Sequence, residues 1–339
     1  MKKWQKFATI LLVLALSFSL LAGCGGGEAD PTPDAGEPEK LKVAMVTPQK
    51  LGDNGAIDAC YAGMVDAAED FGYDYKLLEP EAGEYEDALR SMADDGYDLI
   101  FCIFSAVQDA ATRVAPDYPD VKFVQILGDI DDMDNVRTLN FKDQEGAYLC
   151  GIVAANVSQT KKVAVIAGAE VGDNLRCIAG FEAGVRAANP DIQTNHMFVG
   201  SFEDPTKSKE LANVLLNDGY DVIYEVCAAS SMGIREAIRE WGTNAYMVGN
   251  VVDESEAIPG QVPCSNHTNY YVWFYDTMEA FAGGEFKAGM YSQGLSDNAV
   301  DIILAADDVF PISQEIKDAV DAARADIISG KIVPPTTVE

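Results

Sequence analysis

An internal repeat constrains the fold of this chain more than any other sequence feature. The segment Lys42–Val46 (KVAMV) recurs as Lys162–Ile166 (KVAVI), and a Gly-Asp-Asn triplet follows each copy after the same interval. A further pair, Asp95–Ile100 (DGYDLI) and Asp218–Ile223 (DGYDVI), repeats in the same order. A repeat length of about 120 residues is too long for a solenoid and matches a duplicated domain. The sequence therefore predicts two similar lobes.

Each copy alternates short apolar runs with segments of helical periodicity. Leu99–Phe104 is an apolar run typical of a strand buried on both faces, and Ile57–Phe71 places apolar residues at helical spacing. The second copy repeats these features in Val222–Val226 and Ile178–Ala188. Strands separated by helices indicate parallel sheets that are covered on both faces. The predicted fold class is α/β, with two Rossmann-like lobes.

The amino terminus has the pattern of an export signal. Three lysines precede the uncharged run Ala8–Ala22, which is shorter than the roughly 20 residues that a membrane-spanning helix needs. The ending Leu21–Cys24 (LAGC) resembles the bacterial lipobox, in which the cysteine receives lipid. A plain secretory signal with an incidental cysteine is the alternative. We predict a signal peptide over residues 1–23, lipidation of Cys24 and a location on the outer face of the cell membrane or on the periplasmic side of a membrane.

Composition then limits the partners of the exported chain. Residues 24–40 have no apolar run and are rich in glycine, proline and acidic residues, so they are expected to form a flexible tether. The chain has 55 Asp and Glu against 24 Lys and Arg, a formal charge of −31. Such a surface repels nucleic acid and anionic lipid. We expect no nucleic-acid partner, and membrane attachment through the lipid anchor only.

The sequence gives little support for a metal site, a cofactor or catalysis. The chain has two histidines, and no dinucleotide-binding or P-loop glycine pattern occurs. The acidic run at residues 129–134 lacks the glycine and the distal glutamate of a calcium loop. The six cysteines other than Cys24 show no Cys-x-x-Cys spacing, which favours buried thiols and leaves disulfides open. We expect no metal, no cofactor and no catalytic residues.

Candidate ligand contacts follow the strands of both lobes, where open parallel sheets bind their ligands. Carboxylates and amides at these positions accept hydrogen bonds from a ligand but also cap helices. An aromatic ring stacks on a heterocycle or ends a core strand, and an arginine holds an anionic or carbonyl group or pairs with a surface carboxylate. The candidates are Asp53, Asn54, Asp58, Phe104, Ser105, Asp173, Asn174, Arg176, Ser230, Asn250 and Asp253. If the lobes face each other, these residues meet across a cleft.

Three segments carry a resemblance to the basic membrane lipoprotein family. They are Gly52–Asn54 before a helix, Phe141–Leu149 (FKDQEGAYL) and Gly200–Pro205 (GSFEDP). The family consists of substrate-binding lipoproteins of ABC importers, several of which are receptors for purine nucleosides. The resemblance covers roughly Lys42–Gly289. It implies a small-molecule ligand, ABC permease and ATPase partners and a type I periplasmic-binding fold, and we expect a monomer.

The resemblance also implies how the lobes divide the chain. Three crossovers would join them, two of these near Asp143 and Thr268, and the carboxyl terminus would return to the first lobe. The first lobe is then expected to contain residues 41–142 and about 272–339, and the second lobe residues 143–271.

Departures from the family pattern bear on the ligand. Gly55–Ile57 stands where the family has Ser-Phe-Asn, Val251 replaces a carboxylate and Thr268 replaces a lysine. The implied nucleoside site therefore lacks an aromatic ring, a carboxylate and a cation. The ligand is expected to be a nucleoside or another small polar metabolite.

The leading hypothesis is the capture protein of an ABC importer, in which two lobes close on a ligand. A sensor lipoprotein that reports to a membrane kinase or chemoreceptor would have the same sequence features. An exported nucleosidase-type hydrolase would use Asp53 or Asp58 as a general base. No pairing of a nucleophile with a base supports that third function.

Overall fold

Two six-stranded sheets form the framework of the protein. The computed structural model describes residues 40–52 and 55–338. The elements, in chain order, are β1 (Lys42–Val46), α1 (Ala56–Phe71), β2 (Asp74–Leu78), α2 (Tyr85–Asp94), β3 (Leu99–Ile103), α3 (Ser105–Val114), β4 (Lys122–Ile126), β5 (Val136–Phe141), α4 (Asp143–Val157), β6 (Lys162–Ala167), α5 (Gly172–Ala188), β7 (Gln193–Phe198), α6 (Pro205–Asn217), β8 (Val222–Val226), α7 (Ser231–Trp241), β9 (Tyr246–Val251), β10 (Cys264–Thr268), α8 (Tyr270–Ala282), β11 (Gly289–Gln293), β12 (Val300–Leu304) and α9 (Gln314–Ile328).

The two sheets repeat one strand order. The first sheet is ordered β11-β5-β4-β3-β1-β2, and the second is ordered β12-β10-β9-β8-β6-β7. All pairs are parallel except that of β10 with β12, which is antiparallel. Corresponding strands carry the sequence repeat, β1 with β6 and β3 with β8. The predicted α/β fold with two lobes is confirmed.

Burial on both faces explains why β3 is uniformly apolar. Its five side chains are fully buried. On one face, Phe101 packs against α1 and α8 and stacks on Phe274 with ring centroids 4.1 Å apart. On the other face, Ile100 and Cys102 pack against α2 and α3. This two-sided packing holds the end of β3, and the loop that follows it, in a fixed position.

The carboxyl-terminal segment divides between the lobes. Helix α8 and strand β11 join the first lobe, whereas β12 pairs with β10 and α9 packs on the second lobe. The expectation that residues 272–339 belong to the first lobe is therefore corrected for the last strand and the last helix. The physical reason is apolar complementarity, since Val320 and Ile327 of α9 are buried in the same core as Val153 of α4.

The chain crosses between the lobes three times, from β5 to α4, from β10 to α8 and from β11 to β12. Backbone hydrogen bonds tie these crossings together. The Lys142 N–H donates to the carbonyl of Gln293 at 2.8 Å, and the Asn269 N–H donates to the carbonyl of Ala299 at 2.9 Å. The three segments therefore form one connected hinge rather than three separate linkers.

Candidate ligand-binding site

A cavity of about 410 Å³ lies between the two lobes. Its walls come from loops at the carboxyl ends of strands in both sheets, as expected for parallel α/β sheets. The first lobe contributes Gln49 after β1, Phe104 after β3 and Leu127 after β4. The second lobe contributes Val171 after β6, Ala228 after β8 and Val251 at the end of β9. Equivalent loops of the duplicated lobes thus face each other across one cavity.

Strained backbone occurs at equivalent places on both sides of this cavity. Phe104, Leu127, Ala228 and Val251 have φ angles of 63°, 58°, 50° and 69°. Each ends or follows one of the matched strands β3 and β4, or β8 and β9, and each lines the cavity. For a non-glycine residue, a positive φ angle of this kind costs about 1–3 kcal/mol. Because such strain concentrates at functional sites, it supports this cavity as the binding site.

Five of the residues predicted from sequence line the cavity: Phe104, Ser105, Asp173, Asn174 and Asn250. Asn174 is 2% exposed, and its side-chain N–H donates to the carbonyl of Ala169 at 2.8 Å. The side-chain oxygen of Asn250 accepts a hydrogen bond from the Tyr224 hydroxyl at 3.0 Å. These bonds hold both amides in defined orientations at the cavity wall. Their contact with a ligand stays a prediction.

Three other predicted residues do not line the cavity, and each forms a hydrogen bond with the backbone instead. The Asp58 carboxylate accepts from the Gly52 N–H at 2.7 Å. The Ser230 hydroxyl accepts from the Asp204 N–H at 2.8 Å, and the Asp253 carboxylate accepts from the Ser255 N–H at 2.9 Å. Asp53, Asn54 and the proposed lipidation site Cys24 lie outside the described residues.

Arg176 does not line the cavity itself, but it contacts Asp143, which does. Its guanidinium pairs with the carboxylate of Asp143 at 3.2 Å, and Asp143 lines the cavity. Burial raises the pKa of Asp143 to about 7, although Arg176 acts in the opposite direction. Burial also raises the pKa of Asp173, on the same side of the site. Burial therefore disfavours the charged forms of both carboxyl groups in this part of the wall.

A second charged group was not predicted from the sequence. Glu225, Arg235 and Glu254 line the cavity, and the Arg235 guanidinium forms an ion pair with Glu254. Glu225 is 3% exposed, and burial raises its pKa to about 8. The available signal was the acidic residue inside the otherwise uncharged strand β8 (VIYEV). A buried charge of this kind is uncommon without a functional or structural reason.

Gly249 makes room for the Glu254 side chain. A Cβ atom at Gly249 would lie 2.4 Å from the Ser265 hydroxyl and 3.0 Å from Cβ of Glu254. The Ser265 hydroxyl also accepts from the Glu254 N–H at 3.1 Å. The loop after β9 is therefore held against the strand, with the Glu254 carboxyl group at the cavity wall.

Aromatic rings form the apolar part of the wall. Phe104 meets Tyr270 edge to face, with ring centroids 6.3 Å apart, and Tyr270 in turn packs edge to face on Phe141 at 4.7 Å. On the second lobe, Phe202 lies over Gly168, where a Cβ atom would fall 2.4 Å from the ring. Phe104, Tyr270 and Phe202 line the cavity. The site thus combines flat apolar surfaces with hydrogen-bonding groups.

Other features expected from the sequence concern metals, thiols and membranes. Residues 40–52 and 55–338 contain no group of three or more His, Cys, Asp and Glu side chains that could hold a metal ion. The six cysteines in this part of the chain are buried, and no two of them form a disulfide. Nor does this part contain a helix with the length and apolar character needed to cross a membrane.

Comparison with known proteins decides the family. The sequence profile of the Bmp family, described as PnrA-like ABC transporter substrate-binding proteins, matches residues 40–337. The chain belongs to this family. Its relatives in the family include the ABC transporter nucleoside-binding protein BmpA of Lactococcus lactis subsp. cremoris, which is 27% identical over 98% of this chain and 99% of the relative.

Two further matches concern the sequence relatives and the fold. Basic membrane protein A1 of Borrelia garinii subsp. bavariensis is 27% identical over 97% of this chain and 96% of the relative. Among solved structures, an ABC transporter solute-binding protein from Aeropyrum pernix K1 superimposes with a TM-score of 0.78, at 24% identity, over 87% of this chain and 94% of that one. The fold of this family member is therefore of the periplasmic-binding type.

Proposed function

We propose that this protein captures a nucleoside or a related small polar metabolite between its lobes and delivers it to an ABC permease with its ATPase. The observation that carries this proposal is the cavity of about 410 Å³ between the lobes, to which both lobes contribute equivalent loops. A ligand that contacts both lobes stabilises the closed form, and the closed form is what a permease can recognise. The nucleoside-binding relative supports the ligand class.

The lining residues match a ligand that has both a flat ring and polar substituents. Phe104, Tyr270 and Phe202 offer ring surfaces for stacking. Asn250 and Thr268 offer polar groups, and the Thr268 hydroxyl is 3% exposed and has no hydrogen-bond partner among the described residues. A buried hydroxyl without a partner is costly, so a ligand that bonds to it gains affinity.

The remaining parts of the proposal concern location, assembly and chemistry. We propose a monomer that is exported and held on the outer face of the membrane by lipid on Cys24. We further propose that the protein binds without transforming its ligand. A sensor lipoprotein would use the same cavity, and a neighbouring permease and ATPase gene pair would favour import over sensing.

The test is calorimetric titration of the purified protein with adenosine and inosine. We expect saturable binding of at least one of them, and chromatography after incubation should recover the nucleoside unchanged. Phe202→Ala should weaken binding by about 0.5–1.5 kcal/mol, the contribution of an aromatic pair beyond area burial. The control Tyr291→Ala removes an exposed ring outside the cavity lining and should leave the affinity unchanged.

Two outcomes would count against the proposal. Release of free base during the incubation would indicate a hydrolase. Equal affinities for the wild type, Phe202→Ala and Tyr291→Ala would move the binding site away from this cavity.

A further inference from the structure

The charge of the cavity wall is one-sided. Five carboxyl groups line it, those of Asp143, Asp173, Glu203, Glu225 and Glu254, and Arg235 is the cation that lines it among the described residues. Arg176 neutralises Asp143 from behind the wall, and Arg235 neutralises Glu254. Counting both pairs, the carboxyl groups of Asp173, Glu203 and Glu225 remain without a paired cation among the described residues.

Two acidic side chains of the second lobe are buried at the cavity wall: Glu225, which has hydrogen-bond partners but no ion pair, and Glu254, one of whose oxygens has no partner among the described residues. Glu225 is 3% exposed and accepts a hydrogen bond from the Cys227 N–H at 3.3 Å, but it forms no ion pair among the described residues. Glu254 is 6% exposed, and its Oε2 atom has no hydrogen-bond partner in the described part of the chain. A buried carboxyl oxygen without a donor is costly, so a donor supplied by a ligand would be bound favourably.

The aromatic part of the wall favours the same kind of ligand. The faces of aromatic rings attract cations, by about 0.5–1 kcal/mol when exposed and more when water is excluded. Phe104, Phe202 and Tyr270 line the cavity together with the carboxyl groups. The formal charge of −31 further attracts cations to the protein, and a cleft lined by one sign of charge concentrates that field.

We propose that the ligand of this cavity carries a positively charged nitrogen, which binds against Glu225 and Glu254 while its ring packs on the aromatic residues. The ligand class is an organic cation with a flat ring, such as a nucleoside with a charged base. This inference rests on the proposed function, because it assumes that the ligand occupies the same cavity. Beyond the proposed function, the inference specifies that the ligand is positively charged.

The experiment compares probes that differ in charge but hardly in shape. One pair is 1-methyladenosine, a cation at neutral pH, with neutral adenosine. The other is the pyridinium form of nicotinamide riboside with its neutral reduced form. Calorimetry gives the ratio of affinities within each pair for the wild type, for Glu225→Gln and for Glu254→Gln. The matched control is Glu256→Gln, which changes an exposed carboxyl group two residues from Glu254.

We expect the cation of at least one pair to bind at least about tenfold more tightly than its neutral partner. Glu225→Gln and Glu254→Gln should each reduce that ratio, and Glu256→Gln should preserve it. Thermal unfolding of each variant identifies any that has lost its fold. If one of the two glutamine variants fails to fold, the other still tests the inference.

The possible failures are distinguishable. If the neutral probes bind as tightly as the cations, or if neither glutamine variant changes the ratio, capture of a nucleoside stands and the charge inference is overturned. If no member of either pair binds, the proposed ligand class is overturned, and the charge inference that rests on it falls with it.

Discussion

Glu225 shows how one residue can link the fold to the site. Its neighbours in β8 are buried as well, so its carboxyl group is withdrawn from water by the packing of the whole strand. Burial raises its pKa to about 8, and the opposing effects of Arg235 and of the Cys227 N–H are smaller. A carboxyl group in this state is protonated at neutral pH, and it ionises there only when a nearby cation stabilises its charged form.

The stability of the protein should therefore depend on pH through Glu225. The unfolded chain releases this proton near the ordinary pKa of 4.5, whereas the folded chain keeps it up to about pH 8. The contribution of Glu225 to the free energy of unfolding thus falls as pH rises from about 4.5 to about 8. Glu225→Gln cannot ionise, so at pH 8.5 it should be more stable than the wild type by about 1–3 kcal/mol.

Urea unfolding at pH 5.5 and pH 8.5 measures this effect. Asp143 contributes in the same direction in every protein compared, since burial raises its pKa too, so the informative quantity is the difference between variant and wild type. Glu256→Gln, at an exposed position, should track the wild type at both pH values. If the difference in free energy of unfolding between Glu225→Gln and the wild type were the same at both pH values, the assigned protonation state would be refuted.

The sequence predicted the location of the site better than its individual side chains. Phe104, Asp173 and Asn250 line the cavity because the ends of parallel strands meet at one edge. Two other predictions are displaced by a single residue: Ser231 lines the cavity instead of Ser230, and Glu254 instead of Asp253. The direction of a side chain within a loop depends on the local turn, which strand periodicity does not determine.

Among the elements, the helices α4 and α5 show a very close backbone approach. Gly180 and Gly184 lie four residues apart on α5 and so share one face. A Cβ atom would lie 2.3 Å from the Gln144 carbonyl oxygen at Gly180, and 2.0 Å from the Tyr148 carbonyl oxygen at Gly184. The two helices can pack this closely because glycine has no side chain at either contact.

Substitution at this contact should destabilise the second lobe. In Gly184→Ala the methyl group meets backbone atoms, which cannot rotate away, so we expect a loss of about 1–3 kcal/mol in the free energy of unfolding. Gly172→Ala in the same helix is the control, because a Cβ atom there has only the Arg176 guanidinium nearby, at 3.6 Å. Chemical denaturation measures the loss in free energy of unfolding for both variants. Equal losses would contradict the packing argument.

Element boundaries were predictable where apolar periodicity reaches the end of the element. The predicted helix Ile57–Phe71 agrees with α1 within one residue. The helix predicted from Ile178 instead begins at Gly172. Its first turn contains Asp173 and Asn174, whose polar side chains interrupt the apolar pattern although the backbone is already helical.

At the scale of the whole molecule, the three hydrogen-bonded crossings restrict how the lobes move. Separate linkers would permit movement in many directions, whereas segments that bond to one another must bend together. Ligand-driven closure is then a rotation about one hinge, the type of motion found in domain-closure proteins.

The proposed lipid anchor at Cys24 can be tested by substitution. Cys24→Ser should remove the lipid, and the protein should then leave the membrane fraction of the cells that produce it. Gly27→Ala, within the proposed tether, should remain with the membranes. Fractionation followed by mass measurement of the amino-terminal peptide provides the readout. Retention of the Cys24→Ser protein in the membrane fraction would eliminate the anchor.

The divided carboxyl terminus has a consequence for the order in which the protein folds. The first five strands of the first lobe are synthesised first, yet its sheet gains the strand β11 only after β6 to β10 of the second lobe have been made. The sheet of the second lobe gains β12, the next strand after β11, later still. Until then β5 and β10 present unpaired edges, which are prone to association with other chains. A truncation before Gly289 would therefore remove an edge strand from both sheets at once.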